Sequence, residues 1–192
     1  THDQSSAASD VYKRQGARVG ILGVGAIGTV IARRFAALGF AVRGFARSPK
    51  QIDGVEVFVG MDQLAAFADG LDIVVSVLPL TPQTTGIMNA GFFDRLAPGA
   101  FIINGGRGPQ VADDDLLAAF DSGQLGGAAL DVFAVEPLPD EHPFWTHPKV
   151  RVWPHVAAQT NAISAADQVA QAIQRMMAGE EPANRVDWAR GY

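Results

Sequence analysis

The feature that most constrains this chain is the hexapeptide Gly23-Val24-Gly25-Ala26-Ile27-Gly28, set between an apolar run and a helix-period segment. The run before it, Ala17 to Leu22, predicts a strand. From Ala26 to Leu38 the spacing of Ile27, Ile31, Arg34 and Phe35 predicts a helix, stopped by Gly39 in the C′ position. A glycine string alone is weak evidence, but between a strand and a helix each glycine has a mechanical reason. Gly23 permits the tight turn, Gly25 lets the backbone approach a pyrophosphate, and Gly28 lets helix and strand pack closely. Ala26 and Ile27 open a helix whose free N–H groups and positive dipole end suit phosphate oxygens. A dinucleotide is the expected ligand of this loop.

Downstream, strand-length apolar runs alternate with helix-period segments, the pattern of an α/β fold with a doubly wound parallel sheet of the Rossmann type. Strands are predicted over 41–46, 71–78, 100–104, 127–132 and 150–153, and helices over 61–68, 90–96 and 113–122. Residues 49–60 are expected to form a loop or an irregular strand. A final helix over about 161–178 carries Ile163, Ala166, Val169, Ala170, Ile173 and Met177 on one side. Residues 1–15 are polar and lack either periodicity. They resemble a translated adapter sequence and are expected to be a non-native or disordered leader. The expected organisation is thus a leader over 1–15, a nucleotide-binding domain over 16–158, and a helix and tail over 159–192 that belong to a second domain.

Composition excludes several classes of function. Of 192 residues, 48% are hydrophobic, enough for an ordinary core. A net charge of −5 offers no electrostatic footprint for nucleic acid or an anionic membrane. No cysteine is present, so disulfides, thiolate metal ligands and cysteine nucleophiles are excluded together. No apolar run approaches the roughly 20 residues that span a bilayer. A cytoplasmic protein without metal, membrane or nucleic-acid partners is expected.

The end of the second strand should choose the cofactor. An NAD site wants an acid there to accept from the ribose 2′-OH. The chain instead has Ala46-Arg47-Ser48, with no carboxylate before Asp53. Arg47 and Ser48, aided by Lys50, could grip a 2′-phosphate, because guanidinium pairs bidentately with phosphate oxygens. NADP(H) is therefore expected over NAD(H), which stays open. Three further strand ends carry titratable groups: Arg107 after Asn104-Gly105-Gly106, Asp131 and Glu136 in Asp131-Val132-Phe133-Ala134-Val135-Glu136-Pro137, and His155 in Pro154-His155-Val156-Ala157-Ala158. Open α/β sheets bind ligands outside this edge, so all three can converge on the cofactor. Singly each has an ordinary explanation: a structural ion pair, loop punctuation, a surface histidine. The joint order Arg, Glu, His on a cofactor fold is harder to dismiss.

These segments, with the turn Leu78-Pro79-Leu80-Thr81-Pro82, resemble the D-isomer-specific 2-hydroxyacid dehydrogenase family over everything from about Gly16 to Tyr192. Within it the chain is most similar to a subgroup that reduces glyoxylate and hydroxypyruvate. Ala46-Arg47-Ser48, Glu136-Pro137-Leu138-Pro139, Pro143-Phe144-Trp145 and the closing Val186-Asp187 and Ala189-Arg190-Gly191-Tyr192 carry that likeness. The resemblance implies catalytic Arg107, Glu136 and His155. Arg107 would bind and polarise a small 2-oxo or 2-hydroxy acid, and His155 would be the general acid. Glu136 would fix the imidazole and favour its charged form. It implies a cofactor lined by Gly23, Gly25, Ala26, Ile27, Gly28, Arg47, Ser48, Leu78, Pro79, Asn104, Gly105, Gly106, Arg107, Asp131, His155 and Ala157, and a homodimer at full length.

Two departures bear on function. The family's small non-glycine residue before the catalytic Arg is Gly106 here, which predicts a more flexible lead into Arg107. The family's substrate-side domain, formed largely by residues ahead of the cofactor domain, is nearly absent from this chain. A cofactor-binding piece that does not turn over is therefore one expectation beside the reductase. A lactate-, phosphoglycerate- or formate-type dehydrogenase is another, and a cofactor-sensing binding protein a third.

Overall fold

The computed structural model describes residues 16–183, 185 and 186, so the expectations for residues 1–15 and for Asp187 to Tyr192 fall outside the described residues. These residues divide into two compact units, the first ending at His155 and the second beginning at Val156. The first is built on seven strands: β1 (Arg18–Leu22), β2 (Ala41–Ala46), β3 (Val55–Val59), β4 (Ile73–Ser76), β5 (Ala100–Asn104), β6 (Leu125–Leu130) and β7 (Val150–Val152). All pair in parallel, in the order β3-β2-β1-β4-β5-β6-β7. The strand order reverses between β1 and β4, and the carboxyl ends of all seven face one edge.

Helix α1 (Ala26–Ala37) follows β1 and packs one face of the sheet through an apolar layer that includes Val19, Ile21, Ala32, Val42 and Val75. It ends as the sequence predicts. Gly39 takes φ 86°, its N–H reaches the Ala36 carbonyl, and the Phe40 N–H reaches that of Phe35. The Phe35 and Phe40 rings then meet edge to face at 5.3 Å, completing a Schellman end with its apolar contact. The other face carries α2 (Leu64–Ala68), α3 (Ala90–Phe93) and α4 (Asp113–Asp121) over the larger core, where Leu22, Phe67, Phe93, Ile102 and Leu116 are fully buried or nearly so. Covering is uneven. On the α1 face, Phe101 and Ile103 of β5 are 49% and 37% exposed, beside a groove of about 820 Å³ floored by the small residues Gly126, Gly127 and Ala129.

Most elements fall within a few residues of their predicted places. Residues 55–59, expected within a loop or irregular strand, form a regular edge strand paired from Val42–Val55 to Ala46–Val59. Its Val-Glu-Val-Phe-Val alternation fits a half-buried edge. The helix predicted over 90–96 is a single turn, because after Phe93 the chain tightens into bonds from Arg95 to Phe92 and from Leu96 to Phe93.

The second unit holds α5 (Ala162–Met177). Asn161 caps it, accepting from the Ile163 and Ser164 N–H groups, and Gly179 at φ 76° closes it, with the Glu180 N–H on the Arg175 carbonyl. Ile163, Val169, Ile173, Met176 and Met177 are exposed along it. No described helix is long and apolar enough to cross a membrane.

Candidate active site

At the end of β1 the chain turns through Gly23, at φ 96°, into α1. A Cβ on Gly28 would collide with the Gly23 carbonyl, so helix and turn can be this close only with glycine there. A Cβ on Gly25 would meet nothing within 4 Å, which leaves its backbone open to a ligand. Gly25 is also the N-cap residue, and no side chain caps α1. Ala26 and Ile27 are exposed in the first turn. Uncapped N–H groups, an open backbone and the helix dipole together suit a pyrophosphate. The cradle itself therefore fits the phosphates of a dinucleotide.

Around this cradle stand the other predicted cofactor residues. Arg47 and Ser48 are exposed immediately beyond β2. Lys50 Nζ donates to the Val24 carbonyl at 2.8 Å, which brings its charge to the glycine loop. No acid stands at the end of β2, so the local chemistry suits a phosphate better than a ribose hydroxyl. Leu78 lies against Gly23: a Cβ there would sit 3.1 Å from the Leu78 backbone nitrogen.

The ends of β5, β6 and β7 are laced together by backbone. The Asp131 N–H donates to the Asn104 carbonyl at 3.0 Å, and the His155 N–H donates to the Asp131 carbonyl at 2.8 Å. Asn104, almost fully buried, accepts from the Gly106 N–H through Oδ1 and donates to the Arg107 carbonyl through Nδ2. The Gly105 N–H reaches back to the Ser76 carbonyl on β4. Gly108 rests directly on the Phe133–Ala134 peptide, where no Cβ would fit, so the Arg107 loop and the Glu136 loop touch through their backbones. Arg107 itself is exposed, with Nη1 on the Gly106 carbonyl at 2.7 Å.

Within this group His155 Nδ1 lies 2.8 Å from Glu136 Oε2, while Glu136 Oε1 accepts the Phe133 N–H at 2.9 Å. The hydrogen bond with the His155 ring, then the Phe133 N–H, holds the Glu136 carboxyl below its ordinary value of 4.5. Partial burial opposes this, and the charges of His155 and Arg107 reinforce it. An ionised carboxylate only accepts, so Nδ1 carries the proton and Nε2 is the ring atom left for a reacting group. His155 is the one non-glycine residue with positive φ, 56°, among those described.

The structure thus gathers Arg107, Asp131, Glu136 and His155 at neighbouring strand ends, on the edge where the glycine loop also opens. Ala157 is exposed in the second unit. Two residues of the site were not singled out from sequence, Gln110 and Ser76. Gln110 is fully buried, and its amide joins the Arg107 loop to Ser76 and to the Leu78–Pro79 turn. A glutamine in an otherwise ordinary Pro-Gln-Val stretch carries no periodic signal. The lead into Arg107, expected to be flexible, is held by these bonds.

The D-isomer specific 2-hydroxyacid dehydrogenase NAD binding domain family model matches residues 2–157. Glyoxylate/hydroxypyruvate reductase A of Serratia proteamaculans (strain 568) is 49% identical over 183 residues, covering 95% of this chain and 58% of that protein. The protein of the same name from Yersinia enterocolitica is 51% identical over 174 residues, covering 91% of this chain and 56% of its own length. Among solved structures, a D-isomer specific 2-hydroxyacid dehydrogenase from Xanthobacter autotrophicus Py2, in complex with NADPH and MES, superposes with a TM-score of 0.90 at 42% identity. That match covers 99% of this chain and 83% of the other. An NADPH-dependent glyoxylate/hydroxypyruvate reductase from Sinorhizobium meliloti, in complex with NADP and sulfate, gives a TM-score of 0.88 at 39% identity, over 98% and 65%. The chain spans a little over half the length of these curated relatives, 56–58%. With its sheet order, its glycine cradle and these matches, the chain belongs to the D-isomer specific 2-hydroxyacid dehydrogenase family.

Proposed function

We propose that this chain is the cofactor-binding part of an NADPH-dependent reductase of small 2-oxo acids, converting glyoxylate to glycolate and hydroxypyruvate to D-glycerate. The observation that carries the proposal is the 2.8 Å pairing of His155 with an ionised Glu136 beside the Arg107 loop. When bound, the reduced nicotinamide supplies a hydride to the carbonyl carbon. Arg107 pairs with the substrate carboxylate and polarises the carbonyl. His155 delivers a proton from Nε2 to the carbonyl oxygen as the C–O double bond becomes a hydroxyl, and Glu136 holds the imidazole in place through Nδ1. Asp131 would hold the nicotinamide end, and Asn104, Gly105, Gly106, Leu78 and Pro79 would complete the cofactor lining. Arg47 and Ser48 grip the 2′-phosphate, with Lys50 adding charge at the loop. NADH is accepted less well.

Relatives of the same printed activity, and structures holding NADPH or NADP, support the substrate class and the coenzyme. The test is steady-state reduction of glyoxylate, with both coenzymes, by a version extended to the length of its relatives. Preference for NADPH that reverses in Arg47→Ala is expected; an unaltered preference for NADH would overturn the assignment of Arg47. The 58% share of the Serratia relative's length favours a second reading for these 192 residues alone: they bind NADPH without turnover. Calorimetric binding of NADPH without detectable glyoxylate reduction is the expected result. In its extended form we place the protein in the cytoplasm as a homodimer, which light scattering on the extended form would check.

A further inference from the structure

Gln110 has no exposed surface, yet its side chain makes four hydrogen bonds. Oε1 accepts from Ser76 Oγ at 3.1 Å and from the Arg107 N–H at 3.2 Å. Nε2 donates to the Leu78 carbonyl at 2.9 Å and to the Pro79 carbonyl at 3.1 Å. An amide side chain offers two donors and two acceptor sites, and all are used. A flipped amide would set its oxygen against two carbonyls and its NH2 against the Arg107 N–H, so the network fixes a single orientation. Its backbone is tied as well: the Gln110 N–H reaches the Arg107 carbonyl, and its carbonyl accepts the Met88 N–H.

The two segments that Gln110 joins belong to different parts of the site. Leu78 packs on Gly23 of the phosphate cradle, and Arg107 leads the loop that rests on the Glu136 segment. We propose that Gln110 is a positioning residue, whose buried amide sets the Arg107 backbone against the Leu78–Pro79 turn. Gly106 is its structural complement. A Cβ at 106 would stand 2.6 Å from Gln110 Oε1 and 3.0 Å from the Leu78 carbonyl, so the glycine before Arg107 makes room for the amide four residues on. The glycine at this place is a packing requirement of Gln110 and of the Leu78 backbone together.

The inference rests on the reductase proposal only for what Arg107 binds, so its test needs no substrate. In the 192-residue chain, amide hydrogen exchange at Arg107 is compared by NMR with that of the β5 amides, alongside calorimetry with NADPH. Gln110→Met is expected to speed Arg107 exchange about tenfold beyond any change in β5, and to weaken NADPH about three- to tenfold, as loss of buried amide bonds implies. Ser76→Ala removes one of the four bonds and keeps the amide, giving the same pattern at about threefold should Gln110→Met fail to fold. Gly106→Ala should reproduce the effect, because its Cβ would displace the Gln110 amide, and should add little to it when combined with Gln110→Met. Equal acceleration at Arg107 and β5, or an unchanged NADPH affinity in both Gln110→Met and Ser76→Ala, would overturn the proposal. Failure of the unaltered extended protein to reduce glyoxylate would instead sink the reductase proposal and leave the exchange result standing.

Discussion

The loop after β1 and the loop after β5 leave the same edge of the sheet and both depend on glycine, but they are shaped in opposite ways. The first is made by absence. Gly23 takes a left-handed φ, Gly28 removes a collision, Gly25 leaves open space, and no side chain caps the helix that follows. The second is made by presence. The buried amides of Asn104 and Gln110 occupy backbone donors and acceptors on both sides of Arg107. The loop that suits a ligand's oxygens spends its Gly23 and Val24 N–H groups on the Phe45 carbonyl and leaves the start of its helix without a side-chain cap. A loop that presents a side chain to the ligand has its own backbone tied down.

Substitutions can break that contrast in turn. The largest effect is expected at Gly28→Ala, whose Cβ would collide with the Gly23 carbonyl. NADPH binding should fall at least about a hundredfold, with stability lost by the roughly 1–3 kcal/mol typical of overpacking. Calorimetry and thermal melts measure both, and near-normal binding would show that the cradle adapts. Glu136→Gln should come next. It keeps the geometry but removes the carboxylate charge, so in an extended version kcat for glyoxylate should drop about ten- to a hundredfold while NADPH affinity stays unchanged. Loss of coenzyme binding in that variant would mean that the glycine cradle and the Glu136 segment, on which the Arg107 loop rests, do not work separately.

Gly25→Ala sharpens the comparison because its Cβ meets no protein atom. Stability should hold within about 0.5 kcal/mol, as for surface substitutions, while NADPH weakens about tenfold because the backbone can no longer approach the phosphates. Equal binding by the variant would place the pyrophosphate elsewhere. The smallest effect concerns pH. Glu136 titrates below 4.5 in the folded chain, so its contribution is fully present above the ordinary glutamate range and lost as pH falls through the lower folded value. Glu136→Gln should therefore flatten the acid side of a plot of melting temperature against pH, by a modest amount because the group is partly exposed. An unchanged slope would put the pairing in doubt.

The two loops also differ in how much of them could be read in the sequence. The cradle was legible because glycines state a backbone requirement directly: Gly23 and Gly39 have the left-handed φ that their places in turn and helix end demand. Arg107, Glu136 and His155 were legible as types at strand ends, since a parallel sheet delivers every strand end to one edge. What joins them was not. Gln110 lies 34 residues from its partner Ser76, and nothing local marks a glutamine as wholly buried. Gly106 invites an account in terms of flexibility because its neighbour is the side-chain end of a residue four places on. Edge strand β3 was obscured differently: its apolar positions are only half-buried and it sits between loop residues.

His155 adds a consequence for anyone who would engineer this chain. Its φ of 56° lies where a side chain costs about 1 kcal/mol relative to glycine. A search for robustness alone would rank His155→Gly as an improvement, and Asn close behind it. The hardiest version of the molecule would then be the one stripped of its proposed proton donor. Selection for endurance and selection for turnover point to different residues at this position, so a stability screen needs a chemical assay run beside it.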